Sequence, residues 1–204
     1  EITEPRSDLA EATQGHGDQQ PGKRAIAARE QVERRIAGER LVECSMELGG
    51  KNAMLVLSDA DLDRTVRGAV TGSFSNAGQL CIAMERIYVH HSIYDAFVEK
   101  LAARLGQLRL GGGLHWGADV GPLISEKQLA TTTAHVDDAV AKGATVRAGG
   151  KARPDLGPLF YEPTLLTDVP PNAECFAQET FGPVVSVYPF DDLDRAIEQV
   201  NAGD

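Results

Sequence analysis

The chain is short of cysteine and has no excess of positive charge, and both shortages narrow what it does. Three cysteines in 204 residues are an odd count and too few for a disulfide framework, which points to a reduced cytoplasm. Lysine and arginine number 20 against 30 aspartates and glutamates, a net charge of −10, with no basic block. A chain of that balance is a poor partner for nucleic acid or for an anionic membrane. No apolar run approaches the roughly 20 residues that a membrane-crossing helix needs. The opening residues Glu1-Ile2-Thr3-Glu4-Pro5 lack the basic and apolar pattern of a signal peptide. The histidines, at 16, 90, 91, 115 and 135, form no pair with zinc-site spacing to a Cys or carboxylate cluster, so no metal is expected. No G-x-G-x-x-G follows a strand-like run. Gly149-Gly150-Lys151 precedes Ala152, where a phosphate-binding loop needs Ser or Thr, and reads as a turn. Internal repeats and low-complexity segments are absent too.

What is present reads as an α/β chain long enough to bury a core, with 42% hydrophobic residues. Residues 1–22 are polar and read as a disordered tail. Lys23 to Arg40 reads as a charged helix with a thin apolar stripe at Ala25, Ala28, Val32 and Ile36. Together, residues 1–40 form an atypical N-terminal segment, and residues 41–204 form the α/β domain. Leu41-Val42-Glu43-Cys44 is strand-like. Ala53 to Leu57 is a continuous apolar run, as expected of a buried parallel strand. A helix follows from about Asp59 to Ser73, and Asn76-Ala77-Gly78 breaks it. Further strands are expected at Ile87 to His90, Thr145 to Arg147, Tyr161 to Asp168 and Val184 to Tyr188. Further helices are expected after Ser92 and Ser125, each capped by that serine, and over Leu193 to Val200. Strands alternating with helices predict a largely parallel sheet.

Two groups carry the chemistry. Cys81 follows the helix-breaking turn Asn76-Ala77-Gly78-Gln79 and precedes a strand, at the kind of sheet end where α/β proteins place their sites. Backbone amides on such a turn can hold a developing oxyanion. Cys44 and Cys175 read instead as small buried hydrophobes. Glu47 precedes Gly49-Gly50, which lets backbone approach a ligand closely. Burial disfavours the charged form of a carboxylate, which suits a general base for water near neutrality. A nucleophile and a water-activating base are the parts of a covalent catalyst. Gln178-Glu179-Thr180-Phe181-Gly182-Pro183 sets an acid, an aromatic and a Gly-Pro turn before a strand, and alone reads as an ordinary loop.

Taken together, Met46-Glu47-Leu48-Gly49-Gly50-Lys51-Asn52, Gly78-Gln79-Leu80-Cys81 and Glu179-Thr180-Phe181-Gly182-Pro183 resemble the aldehyde dehydrogenase superfamily, in order and separation. Ser75 to Ile82 and Lys151 to Thr164 are most similar to its actinobacterial succinate-semialdehyde dehydrogenase branch. The resemblance runs from near Leu41 to Asp204. It implies an aldehyde-dehydrogenase-like catalytic domain, truncated, which oxidises an aldehyde to the acid with NAD or NADP and no metal. By position, it implies that Cys81 is the nucleophile and Glu47 the deacylating base. It places Leu48, Glu179 and Phe181 at the cofactor, and Leu80 and Ile82 beside the substrate tunnel. Full-length members are homo-oligomers. The family's upstream Rossmann strands, its oxyanion-hole asparagine and its downstream tunnel-closing segment find no counterpart in the sequence, which implies a fragment, a truncated gene product or an altered N-terminus. Two other functions remain open: an inactive remnant acting at most as an interaction module, and a cofactor-independent thiol esterase using Cys81 and Glu47.

Overall fold

In a computed structural model, residues 21–46, 48–113 and 116–202 are described. Chain contacts divide the protein into two compact units, one reaching to Leu48 and one spanning Gly49–Gly203.

The first unit contains helix α1 (Pro21–Arg40), close to the expected bounds. Arg35 Nη1 donates to Glu39 Oε1 at 2.7 Å, an i,i+4 pair on an exposed helix. The tail expected over residues 1–22 lies outside the described residues, apart from Pro21 and Gly22, which open α1. The strand expected at Leu41 to Cys44 does not form. These residues are exposed and without regular structure, and Leu41 adopts a left-handed φ of 53°. A strand needs a partner ladder, and none of the registered pairs of the sheet includes them. Cys44 is accordingly exposed, not the buried hydrophobe that the sequence predicts.

The second unit is built on one five-stranded sheet. Its strands are β1 (Asn52–Val56), β2 (Met84–His90), β3 (Thr145–Ala148), β4 (Thr164–Thr167) and β5 (Val184–Phe190), in the order β1-β2-β5-β4-β3. Only the β3–β4 pair is antiparallel. The largely parallel sheet is therefore as expected, and its central strands are mostly buried because both faces are covered. Ile87, Val89, Leu165, Val185 and Val187 point to one face. There they pack with Val66, Ala69 and Phe74 of α2 (Leu62–Phe74) and Phe97, Val98 and Leu101 of α3 (His91–Leu105). Leu166 and Val184 point to the other face, against Val136 and Ala139 of α4 (Glu126–Ala141). On that same face, Tyr88 and Phe190 cluster with Ala196 of α6 (Leu193–Asn201). A short α5 (Glu174–Ala177) carries the buried Cys175, which is buried as expected.

The caps show where local sequence decides. Asp61 accepts from Arg64 N at 3.0 Å and opens α2, and Ser125 accepts from Gln128 N at 3.2 Å and opens α4. The expected Ser92 cap is displaced. Helix α3 starts two residues earlier, and the His90 ring accepts from Ser92 N at 3.3 Å in its place. The strand expected from Tyr161 narrows to Thr164–Thr167, with Tyr161 making only an isolated bridge to Ala152. Phe97 has no exposed surface and joins α3 to the sheet, so Phe97→Ala is expected to cost about 3–5 kcal/mol. Urea denaturation of the two proteins measures it, and a midpoint unchanged from wild type would contradict this packing.

Candidate active site

Helix α2 ends at Ser75, whose hydroxyl returns to Thr71 O at 2.6 Å. Asn76, Ala77 and Gly78 then take left-handed backbone in succession, with φ of 52°, 56° and 71°. A run of this kind is costly outside glycine and persists only where surrounding structure holds it. Three side chains hold the segment, the first being Asn76 itself, which donates from Nδ2 to Gln79 O at 3.2 Å. Gln79 donates from Nε2 to Asn76 O at 3.1 Å and to Pro122 O at 3.3 Å, and its Oε1 accepts from Ile124 N at 2.8 Å. Asn52, at the start of β1, donates from Nδ2 to Cys81 O at 2.7 Å and to Ala83 O at 3.2 Å. The result is a fixed turn, closed by Ala83 N donating to Leu80 O, with Cys81 exposed as a free thiol at the entry to β2. Leu80 is half-buried beside it, and Ile82 is 71% exposed.

The loop before β5 lies against this turn. A Cβ built on Gly78 would fall 2.2 Å from Gly182 O, so the two backbones touch and only glycine fits. Phe181, half-buried, is itself left-handed with φ 52°. Glu179 is half-buried and accepts from Gly50 N at 3.2 Å. Its Oε2 lies so close over Gly49 that a Cβ there would sit 2.1 Å away. Burial pushes the Glu179 carboxyl above its ordinary range, and the nearby Glu85 charge adds to this. The Gly50 N–H and the Lys51 ammonium oppose it.

A folded-state value above the ordinary 4.5 means that folding favours the neutral acid, so this contribution to stability is full below 4.5 and lost as pH rises through the raised value. Glu179→Gln keeps an acceptor for Gly50 and removes the charge. Its Tm is therefore expected to exceed wild type by on the order of 1–2 °C at pH 8, with the gap closing at pH 4. Thermal melts at the two pH values check this, and a variant less stable at pH 8 would refute it.

Glu47 lies outside the described residues. Leu48 is exposed and belongs to the first unit. Cys81, Leu80, Ile82, Glu179 and Phe181 all belong to the second, where the Gly78–Gly182 contact joins the cysteine turn to the 179–183 loop. Sequence reading missed the polar residues that fasten the two segments. Gln128 donates from Nε2 to Thr180 O at 2.7 Å and Phe181 O at 3.0 Å, beyond its cap role on α4. His135, buried in α4, meets Thr180 Oγ1 at 3.1 Å through Nδ1, and burial lowers its pKa. No sequence signal marks Gln128 or His135, because their partners are distant in the chain. Asn52 stood at the end of the first motif without an assigned task. Among the described residues no group of three or more His, Cys, Asp or Glu could hold a metal ion, and no helix is long and apolar enough to cross a membrane.

Residues 25–204 match the profile described as "Aldehyde dehydrogenase family". The chain belongs to that family. The match begins inside α1, upstream of Leu41, where the sequence motifs alone first showed the likeness. Over 168 residues the chain is 56% identical to a Mycobacterium tuberculosis protein named "Putative succinate-semialdehyde dehydrogenase [NADP(+)] 2", covering 82% of this chain and 32% of that protein. It is 46% identical over 157 residues to Escherichia coli "Succinate-semialdehyde dehydrogenase [NADP(+)] GabD", covering 77% of this chain and 32% of that protein. This aldehyde dehydrogenase chain thus spans about a third of the length of the curated relatives it matches. Among solved structures, the "Crystal structure of E. coli NADP dependent enzyme" superposes with a TM-score of 0.80 at 42% identity, covering 87% of this chain and 36% of that one. The "NAD+ complex structure of aldehyde dehydrogenase from bacillus cereus" gives 0.79 at 35% identity, over 87% and 36%. The α/β sheet described above is therefore an aldehyde dehydrogenase fold, present in part.

Proposed function

We propose that this chain carries the nucleophile half of an aldehyde dehydrogenase that oxidises an aldehyde, of which succinate semialdehyde is the leading candidate, to its carboxylic acid. The supporting observation is the exposed Cys81 on a fixed turn in backbone contact with the loop that carries Glu179. The cysteine thiolate adds to the aldehyde carbon and forms a thiohemiacetal. Loss of hydride from that carbon leaves a thioester on Cys81. Glu47 takes a proton from water, the hydroxide attacks the thioester, and the acid departs as the thiolate is restored. NAD(P)+, when bound, would supply the hydride acceptor.

The second unit suits such a group. A half-buried carboxylate over Gly49, with no side chain between, can accept hydrogen bonds from a ribose diol. Glu179 would hold that ribose, Phe181 would flank the nicotinamide, and the Leu48 backbone would face it. Leu80 and Ile82 would border the aldehyde's approach. The relatives' printed names favour NADP+ and a succinate semialdehyde substrate for this chain as well. By the same kinship the complete protein is expected to be a homo-oligomer.

The test follows reduced dinucleotide by absorbance, with succinate semialdehyde and with hexanal, each with NAD+ and NADP+. Faster turnover of the carboxylate-bearing aldehyde with NADP+ supports the proposal. Cysteine-dependent ester hydrolysis indifferent to dinucleotide would replace it with a thiol esterase.

A further inference from the structure

We infer that Glu85, acting with Lys51, is a positioning residue that holds the Glu179–Phe181 loop in the geometry that dinucleotide binding needs, an inference that rests on the aldehyde dehydrogenase reading above. Glu85 sits in β2, four residues after Cys81, and is only 4% exposed. The β1–β2 ladder pairs Asn52 with Met84 but Ala53 with Arg86, so Glu85 is an extra residue on its strand. A bulge of this kind breaks the alternation and re-aims a side chain. Here the carboxylate is aimed at two motifs at once. On one side it forms a buried ion pair with the Lys51 ammonium. On the other its Oε1 accepts from Thr180 N at 3.0 Å and Phe181 N at 2.9 Å, and its Oε2 accepts from Thr180 N at 2.9 Å.

The arrangement solves a specific problem. Phe181 is held in left-handed backbone, which no sheet ladder supports, and its N–H and that of Thr180 face inward. Buried amides need acceptors, and a carboxylate is the strongest that a side chain offers. A buried carboxylate in turn needs a cation, and Lys51 supplies it. The lysine backbone is anchored as well, because Arg86 donates from Nε to Lys51 O at 3.1 Å. One side chain thereby ties Lys51, next to the Gly50 that donates to Glu179, to the two residues that follow Glu179. Nothing in this network requires Glu85 to touch substrate or cofactor.

Amide hydrogen exchange is the primary test. It compares wild type, Glu85→Ala and the paired variant Glu85→Gln with Lys51→Met, which removes both charges but keeps an amide oxygen for Thr180 and Phe181. Exchange at those two amides is expected to quicken at least tenfold in Glu85→Ala and to return toward wild type in the paired variant. Exchange in the β2–β5 ladder should stay unchanged throughout. Unaltered exchange at Thr180 and Phe181, or equal acceleration across the sheet, overturns the positioning role. The second arm measures dinucleotide KM, and alkylation of Cys81, for the same proteins. A KM raised tenfold or more in Glu85→Ala, at a wild-type alkylation rate, supports the role. A loosened loop with an unchanged KM overturns the link to dinucleotide binding. If wild type itself shows no dinucleotide-dependent turnover, the dehydrogenase reading fails, while the exchange comparison still decides the positioning of the loop by Glu85.

Discussion

Cys81→Ala is expected to lower aldehyde oxidation by at least about a thousandfold while leaving the fold intact. The two halves of that expectation have separate causes. On the proposed mechanism the sulfur forms the thiohemiacetal, and alanine has no substitute for it. The turn does not depend on the sulfur for its shape. Asn52 holds the Cys81 carbonyl, Ala83 N closes on Leu80 O, and Gln79 fastens the residues before it. Cys81 is exposed, so trimming it opens no cavity, and stability should remain within about 0.5 kcal/mol of wild type. Dinucleotide reduction, together with a thermal melt of the same sample, measures both. Retained turnover in a well-folded variant would remove Cys81 from the chemistry.

Gly78→Ala should produce a large structural effect from a single added methyl group. The residue sits at φ 71°, and the new Cβ would lie 2.2 Å from Gly182 O. Left-handed backbone costs a non-glycine residue about 1–2 kcal/mol. Relieving the overlap forces backbone to move, for about 1–3 kcal/mol more. A loss of about 2–5 kcal/mol in urea unfolding is therefore expected. Gly68→Ala is the matched control. It lies inside α2, and a Cβ there meets nothing within 4 Å. It should gain up to about 1 kcal/mol from helix propensity. Equal effects at the two positions would mean that the close approach of Gly78 to Gly182 is absent in solution.

Elements with a local signal were legible in the sequence. The run Ala53 to Leu57 and the i,i+4 apolar spacing through Phe97 and Leu101 gave β1 and α3 within a residue or two. The Ser125 cap was legible because serine and the N–H that it accepts are three residues apart. Leu41 to Cys44 failed because β-propensity without a partner strand does not make a strand. The cap formed by His90 in place of Ser92 was not legible, because a histidine ring is an unusual acceptor at a helix start. The cysteine turn and the 179–183 loop were recognised as motifs. Their contact was not, because it runs backbone to backbone between residues far apart in sequence. Glu85 was hidden for a related reason: a bulge is a property of two paired strands, and one strand's sequence does not display it.

Because Gly78 and Gly182 leave no side chain between their backbones, the two loops have no spacer that could absorb a change in either one. They behave as a single structural part. Any attempt to move the cysteine turn onto another scaffold must transplant residues 75–83 and 178–183 together, since exchanging one alone sets its backbone against a surface shaped for a different neighbour. Recombination between homologues at a breakpoint separating the two segments should yield misfolded offspring more often than breakpoints elsewhere.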